Sequence, residues 1–319
     1  MEWFPNRILC EWASREKQGS IGEILPHHKR HARTAPERPA DALTMARMTS
    51  AERDYVLGTH DAEIARLRFQ HQLWRPRVRE AWLSAGIGPG QRVLDVGAGP
   101  GFATLDLADL VGPLGRVVAV ERSRRFLDAL RVECGARGLA HVDAHELDLM
   151  HDPMPAAGLD AAWCRWVACF VNDPALLLVR IREALRPGAT LVIHEYVDYA
   201  TYRCLPRRPA IEEFVRQVMT SWRANGGEPD VARELPAMLR AQGFRLRHAR
   251  PLGMAVTPQD PAWQWPAGFV RTNAPRLVEL GRVNRDWSDR VLAELDAAEA
   301  DPGSLFVTPL VLELVAERI

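Results

Sequence analysis

The chain has 319 residues, of which 47% are hydrophobic and 26% charged, and its formal net charge is zero. This length supports one large domain or a domain with a substantial insertion. The neutral balance gives no indication of a nucleic-acid or anionic-membrane partner, and no apolar run approaches the ~20 residues that span a bilayer. The five scattered cysteines form no CxxC pair, which indicates reduced thiols in a cytoplasmic protein without a bound metal.

Residues 1–48 differ in composition from the rest of the chain. The segment "LPHHKRHARTAPERPAD" is polar, basic and broken by prolines, and it predicts a disordered N-terminal extension. A nucleic-acid-binding tail is the alternative, but a few basic residues without interleaved aromatic residues are usually solvated. We therefore expect the folded domain to occupy residues 49–319.

From residue 61 the sequence predicts a helix and then an alternation of strands and helices. Ile64, Leu67, His71 and Trp74 are spaced to share one helix face. Five apolar segments then predict strands: "VLDVGAG", "GRVVAVERS", "HVDAHELDL", "LDAAWCRWVACF" and "ATLVIHEYV". Helical segments such as "FATLDLADLV" and "DPALLLVRIREALRPG" lie between them. This alternation indicates a parallel sheet covered by helices on both faces.

After residue 200 the rhythm changes. Helical segments at about 203–241 and 260–300 alternate with two more strand candidates, "FRLRHARPL" and "PLVLELVAERI". Because the extra helices fall between strands, we expect them to form a cap over the sheet rather than a separate domain. The predicted fold is therefore α/β, with a mostly parallel sheet, an antiparallel last strand and helical cap insertions.

The first predicted strand ends in glycines at every second position, Gly97, Gly99 and Gly101. Glycines permit a tight turn and let a ligand lie against the backbone, and the following helix offers free N–H groups. Asp95 precedes the first glycine by two residues. Glu121 ends the second strand, where a carboxylate accepts both hydroxyls of a ribose. A dinucleotide site would have GxGxxG, whereas here the third glycine comes one place early.

The segment "DVGAGPG" resembles the first motif of the class I S-adenosylmethionine-dependent methyltransferases, in particular bacterial small-molecule enzymes of the "methyltransferase domain-containing" type. The resemblance extends over roughly residues 88–196. It implies a Rossmann-like sheet and S-adenosylmethionine as cofactor, with S-adenosylhomocysteine as its product. The cofactor-binding residues that it implies are Asp95, Gly97, Ala98, Gly99, Gly101, Glu121, Arg122, Asp148, Leu149, Arg165 and Trp166.

The same resemblance implies a role for each part of this set. The glycines pass under the methionine and ribose, and Glu121 binds the ribose hydroxyls. Asp148 accepts from the adenine amino group beside Leu149, and Arg165 and Trp166 face the methionine. The residue types suit these roles, because adenine needs an apolar slot with one acceptor and a sulfonium tolerates aromatic faces.

Candidate acceptor-side residues follow the fifth predicted strand. A general base is needed only if the acceptor must lose a proton. The candidates are His194, which is tuned to neutral pH, and Glu195, whose carboxylate is costly to bury without a partner. Aromatic and polar residues before and within the first helix, after the fifth strand and in the cap predict the substrate pocket: Tyr55, His60, Trp74, Tyr196, Tyr199, Trp222 and Trp265.

The fourth strand is not followed by the Asn/Asp-Pro-Pro-Tyr/Phe segment with which such enzymes methylate nitrogens in DNA or glutamine. With the neutral charge, this favours methyl transfer to an oxygen or nitrogen of a small molecule, without a nucleic-acid or membrane partner; a homodimer stays open. Two other functions also stay open. One is a nicotinamide-dependent oxidoreductase, against which Phe102 weighs because a dinucleotide motif has glycine there. The other is a non-catalytic ligand-binding protein with this fold.

Overall fold

A computed structural model of the protein describes residues 61–319. The predicted N-terminal extension and two of the predicted pocket residues, Tyr55 and His60, lie outside the described residues. Among the helices of residues 61–319, none combines the length and apolar character that crossing a bilayer requires.

Ten strands lie within the described part of the chain. They are β1 (Arg92–Val96), β2 (Arg116–Glu121), β3 (Val142–Glu146), β4 (Leu159–Arg165), β5 (Leu185–Asp198), β6 (Arg203–Leu205), β7 (Phe244–Leu252), β8 (Ala255–Val256), β9 (Leu305–Val307) and β10 (Leu310–Arg318). Seven form the main sheet in the order β3-β2-β1-β4-β5-β10-β7, and β6, β9 and β8 form a small second sheet. Strands β1 to β5 are parallel, whereas β10 is antiparallel to both neighbours. The predicted mostly parallel sheet with an antiparallel last strand is confirmed.

The helices of the described residues begin and end at recognisable signals. They are α1 (Asp61–Ser84), α2 (Phe102–Val111), α3 (Arg124–Arg137), α4 (Pro174–Ala184), α5 (Pro209–Ala224), α6 (Leu235–Ala241), α7 (Gln264–Glu279) and α8 (Arg285–Ala300). The side chains of Ser123, Asp173 and Asn284 cap the N-termini of α3, α4 and α8. Each cap accepts from a backbone N–H that the helix itself leaves unpaired.

Helices α1, α5, α7 and α8 pack against one another and form the cap. Helix α6 does not belong to it, although the sequence placed residues 203–241 in one cap segment. Instead α6 packs against β7 and α4, with Leu235 and Leu239 fully buried. The physical reason is the short connection from α6 into β7, which holds the helix against the sheet.

The order of the strands locates a ligand crevice. From β1 the chain proceeds to β2 on one side, and β4 lies on the other side of β1. The strand order therefore reverses between β1 and β4, and open α/β sheets bind ligands at the carboxyl ends of the strands at this point. The glycine turn of residues 97–101 follows β1 and lies at this position.

Candidate functional site

A cavity of about 520 Å³ lies at the carboxyl ends of β1, β2, β4 and β5 and extends under the cap. This volume falls within the ~300–1,000 Å³ of small-molecule sites. The part formed by the β1–α2 turn and by the residues after β2 and β3 is called here the glycine end. The part called the aromatic end is formed by Phe170, Tyr196, Tyr199, Tyr202, Trp222, Trp265 and Phe269.

The three glycines of the turn differ in what surrounds them. All have positive φ, at 65°, 56° and 87° for Gly97, Gly99 and Gly101, a region that side chains rarely adopt. A Cβ at Gly97 would approach Val167 to 2.4 Å, and one at Gly101 would approach Leu130 to 2.3 Å. At Gly99 nothing lies within 4 Å, so the backbone there borders open space. Gly97 and Gly99 line the cavity, whereas Gly101 shapes the turn behind it.

Glu121 holds the turn from the end of β2. Its Oε2 accepts from the Gly99 N–H at 2.9 Å, and its Oε1 accepts from the Ser123 N–H at 2.8 Å. Burial raises the pKa of Glu121, while these two backbone hydrogen bonds act in the opposite direction. Each carboxylate oxygen keeps further acceptor capacity, and the residue lines the cavity. Glu121 can therefore accept two ligand hydroxyls while it fixes the glycine turn.

Asp95 is a buried carboxyl at the end of β1, only 2% exposed. Its Oδ2 accepts from the Thr104 hydroxyl at 2.6 Å. Burial raises the pKa of Asp95 to about 6, against the opposing effects of this hydrogen bond and of the charge of Arg165. Asp95 thus offers a carboxylate to a cationic group of a ligand, and such a cation would favour its ionised form.

Arg165 is a buried guanidinium whose Nη1 has no hydrogen-bond partner in the described structure. Its carbon Cζ lies 5.0 Å from the ring centroid of Trp166 and 5.7 Å from that of Trp163. Burial lowers its pKa to about 10, which leaves it charged at neutral pH. Because Arg165 also lines the cavity, its guanidinium can pair there with an anionic ligand group, and such a partner would offset the cost of burying the charge.

A hydrogen-bonded series from two helices orients Arg165. Its Nη2 lies 3.1 Å from Nδ1 of His71 on α1, and Nε2 of His71 lies 3.1 Å from Oδ2 of Asp106 on α2. Asp106 also accepts from Nε of Arg75 at 2.6 Å. Since Arg165 can only donate, His71 must accept at Nδ1 and donate at Nε2, which is the neutral imidazole. Burial lowers the pKa of His71, in agreement with this tautomer.

Trp166 follows β4 in a backbone conformation with φ of 53°. A left-handed conformation in a bulky residue is strained, and such strain is concentrated at functional sites. The ring lies nearly parallel to those of Tyr196 and Trp265, with interplanar angles of 15° and 24°. Trp166 thereby connects the glycine end, through its contact with Arg165, to the aromatic end.

The residues after β3 border the glycine end on its outer side. Asp148 Oδ1 accepts from the Met150 N–H at 2.8 Å, and its Oδ2 lies 3.2 Å from Nδ1 of His151. Burial alone would raise the pKa of Asp148, but these two contacts outweigh it and lower the pKa. With Leu149 and Met150 lining the same wall, the segment combines one carboxylate with an apolar surface.

The structure does not bring the two predicted catalytic residues to the cavity. The side chain of His194 is enclosed, with Nε2 2.9 Å from Oε2 of Glu313, and its ring packs against Trp74 and Trp163. Glu195 is also enclosed, and its Oε1 accepts from the Cys169 N–H at 3.3 Å. Neither lines the cavity, so the expectation that they serve the acceptor is corrected. The physical reason is that core packing occupies both faces of β5 at these positions.

Most other predicted site residues line the cavity. The cofactor set does so except Gly101, and Tyr196, Tyr199, Trp222 and Trp265 do so in the predicted substrate pocket. Trp74 is instead core, 1% exposed, with its ring edge-on to Trp166 and Trp265. Sequence reasoning missed Arg66, Gln70 and the orienting role of His71. Their helical spacing on α1 was the available signal, but it was read only as a packing face.

Comparisons with known proteins agree with this geometry. Residues 94–193 match the family model of a methyltransferase domain. An uncharacterised 37.1 kDa protein of transposon TN4556 from Streptomyces fradiae is 35% identical over 215 residues, which cover 66% of this chain and 59% of that protein. A ubiquinone/menaquinone biosynthesis C-methyltransferase from Teredinibacter turnerae is 30% identical over 127 residues, 40% of this chain and 50% of the relative.

Among solved structures, geranyl diphosphate C-methyltransferase from Streptomyces coelicolor A3(2) superposes with a TM-score of 0.50 at 14% identity, over 78% of this chain and 82% of that one. This similarity shows the shared fold. Residues 94–193 are thus a methyltransferase domain, and the fold and the glycine turn are those of the class I S-adenosylmethionine-dependent methyltransferases, as the motif predicted. The chain spans 59% and 50% of the lengths of the two relatives above.

The residues present fit the cofactor of this family. S-adenosylmethionine carries a carboxylate, an ammonium, a ribose and an adenine. The guanidinium of Arg165, the buried carboxyl of Asp95 and the spare lone pairs of Glu121 match the first three groups. The wall of Asp148 and Leu149 matches the adenine. The donor set at the glycine end is therefore complete for this cofactor.

Proposed function

We propose that the protein transfers the methyl group of S-adenosylmethionine to a small, largely apolar acceptor held at the aromatic end. The observation that carries this proposal is one continuous cavity with charged groups suited to the cofactor at one end and mainly aromatic walls at the other. When bound, the cofactor supplies a methyl group on a positively charged sulfur. The chain supplies binding, orientation and exclusion of water.

The two ends would act differently in catalysis. Glu121, Asp95 and Arg165 hold three groups of the cofactor and so fix the direction from which its methyl group is presented. The aromatic walls keep the acceptor dry and in line with that direction. Holding two reactants in such a near-attack geometry contributes up to ~7–11 kcal/mol to rate enhancement.

The acceptor atom is a separate question. The sequence predicts transfer to oxygen or nitrogen. Carbon is the second candidate, because the Teredinibacter relative is named a C-methyltransferase and the aromatic end holds no carboxylate or imidazole among the described lining residues. Cofactor carrying a ¹³C-labelled methyl group distinguishes the three atoms, since methyl carbons on oxygen, nitrogen and carbon differ in NMR chemical shift.

The proposal is tested by calorimetry followed by turnover. We expect the full chain to bind S-adenosylmethionine and S-adenosylhomocysteine but not NADH, and to transfer labelled methyl to compounds of a metabolite extract. Comparable binding of NADH without binding of the sulfonium would establish the oxidoreductase alternative. Cofactor binding without transfer to any compound would favour the non-catalytic alternative.

A further inference from the structure

Two hydroxyl groups at the aromatic end, those of Tyr196 and Tyr199, have no hydrogen-bond partner among the described residues. Both residues line the cavity. Neither hydroxyl belongs to the fully buried polar atoms that lack a partner, so both keep some accessible surface. Tyr202 differs, because its hydroxyl donates to the Pro266 carbonyl oxygen at 2.6 Å. Of the three tyrosines that line this end, two therefore present a free O–H group to a ligand.

These hydroxyls are neutral donors at physiological pH. Burial raises the pKa of both Tyr196 and Tyr199, and the opposing effect of the Arg66 charge is smaller. A buried O–H without a partner favours a ligand oxygen, and most of all a charged one, because hydrogen bonds to ionised groups are roughly twice as strong as neutral ones.

The same end of the cavity offers no base among residues 61–319. The lining carboxylates Asp95, Glu121 and Asp148 all belong to the glycine end, and the lining imidazole of His151 lies beside Asp148. An acceptor that becomes nucleophilic by losing a proton would therefore have to lose it to water before it binds.

The shape of this end favours a flat ligand. The ring of Trp166 lies 5.5 Å from that of Tyr196 at an interplanar angle of 15°, and Tyr199 and Trp222 pack 5.1 Å apart on the next part of the wall. Walls made of ring faces and edges bind planar apolar bodies through stacking and edge contacts.

We propose that the acceptor is a planar conjugated compound with an acidic hydroxyl, a phenol or an enol, bound as its oxyanion by the hydroxyls of Tyr196 and Tyr199. This inference rests on the proposed function and names the substrate class of the same site. The hydroxyl proton leaves to water before binding. The oxyanion, or a carbon conjugated with it, then forms a bond to the methyl carbon as the carbon–sulfur bond breaks, and the sulfur keeps that electron pair.

The test uses 4-nitrophenol as the probe and nitrobenzene as its matched control without a hydroxyl. Only the anion of 4-nitrophenol absorbs strongly in the visible range, so an absorbance titration reads the protonation state of the bound probe directly. We expect the full chain, without cofactor, to bind the probe as its anion at a pH where the free probe is mostly neutral.

Three tyrosine variants then identify the site. Tyr196→Phe and Tyr199→Phe should each weaken binding of the anion by roughly tenfold or more, as loss of a hydrogen bond to a charged group predicts. Tyr202→Phe should bind it like wild type, and nitrobenzene should bind all four proteins equally. Failure to bind the probe, a bound probe that is neutral, or unchanged affinity in both Tyr196→Phe and Tyr199→Phe would overturn the proposal. Since the probe is read without cofactor, failure of the methyl-transfer proposal is recorded separately, by calorimetry with S-adenosylmethionine.

Discussion

The two ends of the cavity are built by different means. At the glycine end, hydrogen bonds within and between the turns that follow β1, β2 and β3 dominate: Glu121 accepts from Gly99 and Ser123, and Asp148 accepts from Met150. At the aromatic end, rings from β5, α5 and α7 meet through tertiary packing, as Tyr196, Trp222 and Phe269 show. The difference indicates that cofactor recognition is stored in short turns, whereas acceptor recognition is assembled by the cap. Cofactor affinity and acceptor affinity should therefore be separable by mutation.

The largest difference between the change in cofactor affinity and the change in acceptor affinity is expected for Glu121→Ala. The variant loses the hydrogen bonds to two ligand hydroxyls as well as the two backbone hydrogen bonds that hold the turn. The affinity for S-adenosylmethionine should therefore fall by about 3 kcal/mol, roughly a hundredfold. Calorimetry measures this, and 4-nitrophenol binding should be unchanged. The control is Glu146→Ala, because Glu146 pairs with Glu121 in register on β3 but does not line the cavity. Wild-type cofactor affinity in Glu121→Ala would refute the placement of the cofactor.

A smaller loss is expected for Arg165→Met. Methionine keeps much of the apolar contact with the tryptophan rings but removes the charge that faces the cofactor carboxylate. We expect the affinity for S-adenosylmethionine to fall by about 2 kcal/mol, roughly thirtyfold. Binding of the acceptor probe 4-nitrophenol should stay as in wild type. Arg124→Met is the control, since Arg124 is exposed and pairs with Glu146 outside the cavity. Equal losses in both variants would show a general charge effect instead of a specific contact.

His71 sharpens the comparison because it acts on the cofactor only through Arg165. His71→Ala should weaken cofactor binding by about 1 kcal/mol, roughly fivefold, whereas His71→Gln, which can accept from Arg165 and donate to Asp106, should restore most of it. Arg165, Asp106 and Arg75 are the charged groups that act on this imidazole.

The pH profile separates this positioning role from simple packing. Protonation would turn Nδ1 of His71 into a donor opposed to Arg165, so wild-type affinity should be constant above the ordinary pKa of 6.5 and should fall as the pH drops below it. Part of this fall also comes from Asp95, whose pKa is about 6. His71→Gln should retain only the Asp95 part, and an unchanged profile in that variant would contradict the role.

Glu195→Gln is expected to have no effect on the binding of cofactor or acceptor, because Glu195 does not line the cavity. Burial raises the pKa of Glu195 from 4.5 to about 7, and its Oε2 has no hydrogen-bond partner among residues 61–319. The folded protein thus holds a proton on Glu195 that the unfolded chain releases. The stability that this protonated carboxyl contributes is therefore fully present below pH 4.5 and is lost as the pH rises to about 7. The variant should be more stable than wild type by about 1–3 kcal/mol at pH 8, with no gain at pH 4, as measured by urea unfolding. Reduced turnover in the variant would return Glu195 to the acceptor site.

The glycine end could be predicted from the sequence because its parts are local. The φ values of Gly97 and Gly101 and the position of Glu121 at a strand end follow from the spacing of residues within about 25 positions. The sequence did not show that Glu121 already accepts from two backbone N–H groups of the protein itself.

The sequence by itself determined the alternation of strands and helices, the glycine turn after β1 and the types of residue that are available to bind each group of the cofactor. These follow from hydrophobic periodicity and backbone sterics, which act over a few residues. Only the tertiary structure decided that His194 and Glu195 are enclosed, that α6 lies on the sheet, and that His71 on α1 orients Arg165, 94 positions along the chain. Those outcomes depend on which distant side chains occupy each face, because burial and hydrogen bonding are settled by packing and not by sequence neighbours.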